Sequence, residues 1–180
     1  DVIVSLDADF LGSGPAAVRA QKDFATRPRV DHPGPEMTRL YVVEPTLTTT
    51  GAKADHRMAL KARDVHSFAA ALASAVGAGG AAQTDSALPA DAPKWISAIA
   101  ADLRAHSARS IVVAAPTQPA AVHALARAMN QALGNVGTTI TYGAPVVRSS
   151  ADGIGSLREL VGDMAAGRVE VLIMLGGNPV

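Results

Sequence analysis

The sequence predicts an α/β fold, a parallel sheet of Rossmann-like βαβ units arranged in two lobes. Three observations lead there. Apolar runs at residues 2–6 (VIVSL), 40–43 (LYVV), 110–115 (SIVVAA) and 169–175 (VEVLIML) have the length and continuity of strands buried on both faces. Segments with helical spacing of apolar residues lie between them, an alternation that builds a parallel sheet with right-handed crossovers. The stretch 77–93 (GAGGAAQTDSALPADAP) is small, polar and aperiodic and reads as a linker, leaving 1–76 as a first lobe and 94–180 as a second.

Each element has a local reason. After the strand at 2–6 comes the turn DADFLGSGP, and Pro15 opens a helix near 16–24, since proline is tolerated in a first helical turn. Residues 25–38 (ATRPRVDHPGPEMT) carry three prolines and little periodicity, so they read as loop. Glu44-Pro45 ends the strand at 40–43 because proline has no amide donor, and residues 46–53 are polar and turn-like. A short third strand is expected at 57–60. Asp64 then stands at the N-cap of a helix whose apolar face is Val65, Phe68, Leu72 and Val76.

In the second half, Trp95, Ile96, Ile99 and Leu103 form a helical stripe ahead of the strand at 110–115. The turn PTQP leads into a helix faced by Val122, Leu125, Met129 and Leu133. Residues 138–142 alternate β-branched side chains and read as an edge or return strand. Ser156 and Glu159 have capping-box spacing for a helix carrying Leu157, Leu160, Val161 and Met164, and 169–175 is the last strand. The chain opens within one strand pattern and closes directly after another, so it reads as an excerpt of a longer polypeptide.

Composition narrows the function. Sixteen Lys and Arg balance sixteen Asp and Glu, so nothing favours electrostatic capture of nucleic acid or of an anionic membrane. No apolar run approaches the roughly 18 residues of a membrane span, so no direct membrane insertion is expected. With no cysteine the chain offers no disulfide, thiolate metal ligand or cysteine nucleophile. The five histidines are scattered: His56 and His66 fall in different elements, and His32, His106 and His123 have no paired ligand spacing, so no metal site is expected. Ser5, Ser13 and Ser110 lack the G-x-S-x-G elbow, and Gly12–Gly14 makes neither a dinucleotide fingerprint nor a P-loop. No catalytic residue is evident.

Two places have the form of a ligand loop. Gly176-Gly177-Asn178-Pro179 follows a strand, where glycines admit close approach of backbone amides and asparagine can donate; a plain strand-exit turn uses the same residues. Glu44, at the end of the second strand, could accept from a ribose or a guanine edge, with Thr46, Thr48, Asp55 and Asp64 following. Asp64 reads equally as a helix cap and Asp55 as a turn acid. Asp7 and Asp9, after the first strand, would repel a pyrophosphate.

The order of these segments resembles the molybdopterin oxidoreductase family. ADFLGSGPAAVR (8–19), LYVVEPTLTTTGAKADHRMAL (40–60), TQPAAVHALARAMNQALGNVGTTITY (117–142) and LGGNP (175–179) run through almost the whole chain. They look most like one branch, the large iron–sulfur subunit of bacterial alternative complex III. That branch keeps the fold without the molybdenum cofactor, carries its iron–sulfur clusters in a separate region, and works beside other subunits of a membrane-bound quinol-oxidising complex on the periplasmic side. The family's Asp-Pro-Arg appears here as Glu44-Pro45-Thr46, and its Pro-Gly-x-Asp as Ala62-Arg63-Asp64, with no glycine. The resemblance therefore implies a structural domain of a respiratory electron-transfer subunit with no cofactor of its own, in which Glu44, Asp64, Gly176, Gly177 and Asn178 are vestigial cofactor-binding positions. The alternative is the cofactor-binding part of an active oxidoreductase using molybdopterin guanine dinucleotide. A small nucleotide-binding module is a third class.

Overall fold

The computed structural model describes residues 1–26, 38–79, 88–143 and 153–176. They form an α/β fold around a four-stranded, wholly parallel sheet. The chain divides into two compact units, Asp1–Thr141 and Tyr142–Val180.

In the first unit the order is β1 (Val2–Leu6), α1 (Ala17–Ala25), β2 (Arg39–Glu44), α2 (Thr49–Ala52), β3 (His56–Ala59), a 3-10 turn (Ala62–Asp64), α3 (Val65–Val76), α4 (Ala92–Ala105), β4 (Ser110–Ala114) and α5 (Ala120–Ala132). The sheet order is β3-β2-β1-β4. Alternation sorts the strand residues. Val2, Val4, Leu6, Tyr41, Val43, Met58 and Val112 enter the core with Phe68 and Leu72 of α3, Ile99 and Leu103 of α4, and Val122 and Met129 of α5. Helix α3 packs against both α4 and α5, so three helices cover this face. Gly77 ends α3 at φ +82, a left-handed cap that glycine adopts without penalty.

The expected division at 77–93 is not where the structure divides. β4 pairs with β1 throughout, from Val2↔Ser110 to Leu6↔Ala114, so residues on both sides of that stretch share one sheet and one core.

Several elements differ from expectation. Residues 46–53 hold a short helix, α2, because the Thr48 hydroxyl accepts from the amide of Gly51 and caps it. Asp64 precedes α3 without capping it, because the 3-10 turn leaves its backbone helical (φ −93, ψ −10) rather than extended. Residues 138–142 form no strand. They turn back on themselves, with Thr138, Thr139 and Ile140 amides all bonding to the carbonyl of Asn135.

In the second unit α6 spans Gly153–Ala165, so Ser156 and Glu159 lie inside the helix and form no capping box at its start. Residues 169–175 have no strand partner among the described residues and are not a strand. No helix among the described residues is long and apolar enough to cross a membrane.

Candidate functional site

The site is placed by topology. From β1 the chain steps to β2 and β3 on one side, then returns to lay β4 on the other side of β1. Connections reverse direction beside β1, and in open α/β sheets ligands bind at the carboxyl ends of the strands at such a switch point. The loops that meet there are residues 7–14 after β1 and 115–119 after β4.

A clasp joins them. Asp7 leaves β1 with φ +62, a conformation that aspartate tolerates better than most side chains, and its amide donates to Val43 at 2.7 Å. The Gln118 side-chain amide then donates to the Asp7 carboxylate at 2.9 Å. Gln118 is buried and Asp7 half-buried, so the bond joins the two loops partly shielded from water.

A second set of contacts fills the floor between β1 and β2. The Asp9 carboxylate accepts from both the amide (2.9 Å) and the hydroxyl (2.8 Å) of Thr50. The Thr50 hydroxyl in turn accepts from the amide of Leu11 at 3.0 Å. Burial by itself would raise the Asp9 pKa, but the Thr50 hydroxyl and amide, the Gly12 amide and the Thr48 hydroxyl outweigh it and hold the carboxyl below its usual range. Beside it Glu44 is 1 % exposed. One oxygen accepts from the Arg57 guanidinium at 2.6 Å and the Thr48 amide at 3.2 Å; the other accepts from the Thr48 hydroxyl at 2.6 Å. Gly51 lies against this carboxylate so closely that a Cβ there would sit 1.8 Å from a Glu44 oxygen.

Many of the backbone amides at this edge are already engaged. Ala8 donates to the Ser5 hydroxyl, Leu11 to Thr50, Thr50 to Asp9, Gly51 to Thr48, and Gly12 and Ser13 to the carbonyl of Asp9. A nucleotide entering here would have to break this lattice and approach three carboxylates, Asp7, Asp9 and Glu44. The described residues therefore do not fit a pyrophosphate or a guanine dinucleotide.

The expected site residues separate. Glu44 belongs to the lattice as an interior acid. Asp64 is 7 % exposed and follows β3; one of its oxygens has no hydrogen-bond partner, the nearest cation being Arg63 at 3.6 Å. Asp55 caps the start of β2 by accepting from the Leu40 amide at 2.8 Å. Gly176 belongs to the second unit, with φ +72. Gly177 and Asn178 lie outside the described residues, so no assembly of Glu44, Asp64 and the GGNP loop is described.

Sequence reasoning missed a second polar cluster. Arg39 at the start of β2 forms a two-pronged bond to Asp102 of α4, both distances 2.7 Å, and the Tyr41 hydroxyl donates to the same carboxylate at 2.9 Å. The buried His106 ring lies 3.2 Å from Asp102 and 3.3 Å from Arg39. Burial opposes ionisation of Asp102, but Arg39, Tyr41 and His106 outweigh it and hold its carboxyl low. Burial, reinforced by Asp102, pushes the Tyr41 phenol up to about 12. The signal was present as Asp102 and His106 one turn apart on one helix. Their partners, 63 and 67 residues away, were not readable. No group of three or more potential ligands for a metal ion occurs among the described residues.

No protein-family model matches this chain, and no curated protein matches it.

Proposed function

We propose that this chain is a structural domain of the molybdopterin-oxidoreductase type, without a molybdenum cofactor, within a subunit of a respiratory quinol-oxidising electron-transfer complex. The observation that carries the reading is the state of Glu44. An acid placed to receive a guanine or ribose needs an accessible oxygen, whereas both Glu44 oxygens are bonded inside the fold. The engaged amides of the β1 loop and the Asp7–Gln118 clasp agree with it. The segment order quoted above supplies the respiratory context. In this reading, electrons move through iron–sulfur clusters elsewhere in the parent subunit, the partners are the other subunits of a membrane-bound complex, and the location is the periplasmic side of the inner membrane.

The test is the molybdenum, pterin and iron content of the full-length parent, purified from its native host or one that makes the cofactor. Iron without molybdenum or pterin is the expected result. Stoichiometric molybdenum and pterin would overturn it and make this an active molybdopterin guanine dinucleotide enzyme.

A further inference from the structure

Away from the carboxyl edge, the first unit carries a cleft of about 480 Å³ lined by Tyr41, His56, Asp91, Lys94, Trp95 and Ala98. Small-molecule sites fall in the same range of volume. Four of these six described residues come from α4 and its N-cap, at spacings of three and four, so they form one continuous helix face. The other two are neighbours across the sheet, Tyr41 on β2 in register with His56 on β3.

The aromatic part combines a stack and a corner. Tyr41 and His56 stack with ring centroids 4.9 Å apart and planes 20° from parallel. Trp95 meets His56 at 6.3 Å and 86°, making a right-angled corner. The corner is braced from behind, because the Tyr41 hydroxyl is bonded to Asp102 and Asp102 is gripped by Arg39. The chain has one tryptophan and two tyrosines in all, and this cleft uses the tryptophan and one of the tyrosines. Ala98, one turn beyond Trp95, leaves open the volume that a larger side chain would fill.

The rim is polar. Neither the Asp91 carboxylate nor the Lys94 side chain has a hydrogen-bond or ion-pair partner among the described residues. Asp91 also leaves its own helix uncapped by its side chain. One acceptor and one donor thus stand three residues apart above an aromatic corner, with no net charge between them.

We propose that this cleft binds a neutral planar heterocycle of nucleobase type, with the ring against Trp95 and His56, an N–H donor toward Asp91 and a ring or carbonyl acceptor toward Lys94. A strongly anionic ligand is disfavoured by Asp91 and a strongly cationic one by Lys94. This site is independent of the carboxyl edge and of any molybdenum cofactor.

Adenosine is the probe, titrated into the purified 180-residue chain while the fluorescence of Trp95, its single tryptophan, is followed, with equilibrium dialysis on the same samples. The expected result is saturable quenching with matching dialysis binding. Ala98→Leu, on an exposed helical position, fills the cleft without touching the core and should weaken binding at least tenfold with an unchanged circular dichroism spectrum. Asp91→Asn and Lys94→Ala should each weaken it severalfold. No saturable change up to the solubility limit, or equal binding by Ala98→Leu, overturns the proposal.

Discussion

The outer edge of β4 offers a demanding test of how this fold is held. Ser110 and Val112 turn their amides and carbonyls away from β1, and among the described residues no second strand takes them up. Side chains do so instead. Asn130 of α5 accepts from the Val112 amide at 2.9 Å and donates to the Val112 carbonyl at 2.7 Å, a two-bond contact that imitates a neighbouring strand. Asn135 accepts from the Ser110 amide at 3.4 Å, and the Thr139 hydroxyl donates to the Ser110 carbonyl at 2.7 Å. Asn130 and Val112 are each 3 % exposed, so water is a poor substitute.

Asn130→Ala leaves two buried backbone groups of Val112 without partners. Each such group costs about 1–3 kcal/mol, so we expect a loss of about 3–4 kcal/mol. That is a large share of the roughly 5–15 kcal/mol that stabilises a domain. With a urea m-value of about 2 kcal/mol per molar, the unfolding midpoint should fall by about 1.5–2 M. Asn130→Asp keeps the shape but turns an acceptor toward the Val112 carbonyl. It should be at least as damaging near neutral pH and recover partly in acid, where the protonated carboxyl can donate. A midpoint shift below about 0.5 M for Asn130→Ala, with m unchanged, would refute the reasoning.

Other outcomes follow from the same contacts. Gly51→Ala places a Cβ 1.8 Å from a Glu44 oxygen that is tied to Arg57 and Thr48, and should cost about 3 kcal/mol in urea unfolding; combined with Glu44→Asp, the loss should be less than the sum of the two. Asp102, whose folded pKa lies below its ordinary 3.8, contributes stability that is complete above 3.8 and lost as pH falls through the folded value; Asp102→Asn should be less stable at neutral pH and flatten the acid limb of a stability–pH curve. Tyr41 works in the opposite sense: its stabilisation is complete below pH 10.0 and lost as pH rises toward about 12, and Tyr41→Phe should remove that alkaline loss. Gly77→Ala, at φ +82 with open space around it, should cost about 1 kcal/mol through backbone strain alone, measured as a small fall in Tm.

Elements whose evidence is local were legible. β1, β2, α3, α4, β4 and α5 stand where apolar period and length place them, because each buries a face that its own sequence defines. What failed was pairing. The alternation of residues 138–142 looks like a strand, but Asn130, Asn135 and Thr139 already occupy the β4 edge beside it, a fact set by contacts up to 29 residues apart. The apolar run at 169–175 has the composition of a buried strand, yet a strand exists only where another backbone accepts its hydrogen bonds. Asp64 had the right residue type for a cap and the wrong backbone, since the preceding 3-10 turn was invisible in the sequence.

Glu44 shows how a position can be legible while its role is not. Its place at the end of a parallel strand marked it as a residue that could receive a ligand, and the structure puts it at that edge. Whether such an acid faces a ligand or the protein depends on what its neighbours offer. Here Thr48 supplies two donors four residues on, and Arg57 reaches across from β3 with a charge. Gly51 packs directly against the same carboxylate. Removing either partner of a buried ion pair costs about 3–5 kcal/mol, because the other charge is left uncompensated. Thus Glu44→Ala would confound ligand loss with unfolding, whereas Glu44→Gln keeps the volume and one acceptor. If Glu44 is structural, Glu44→Gln should lower stability in proportion to its weakened hold on Arg57 while leaving unchanged the electron-transfer turnover of the complex proposed above. Lost turnover in a complex that assembles normally would return the residue to the role its position first suggested.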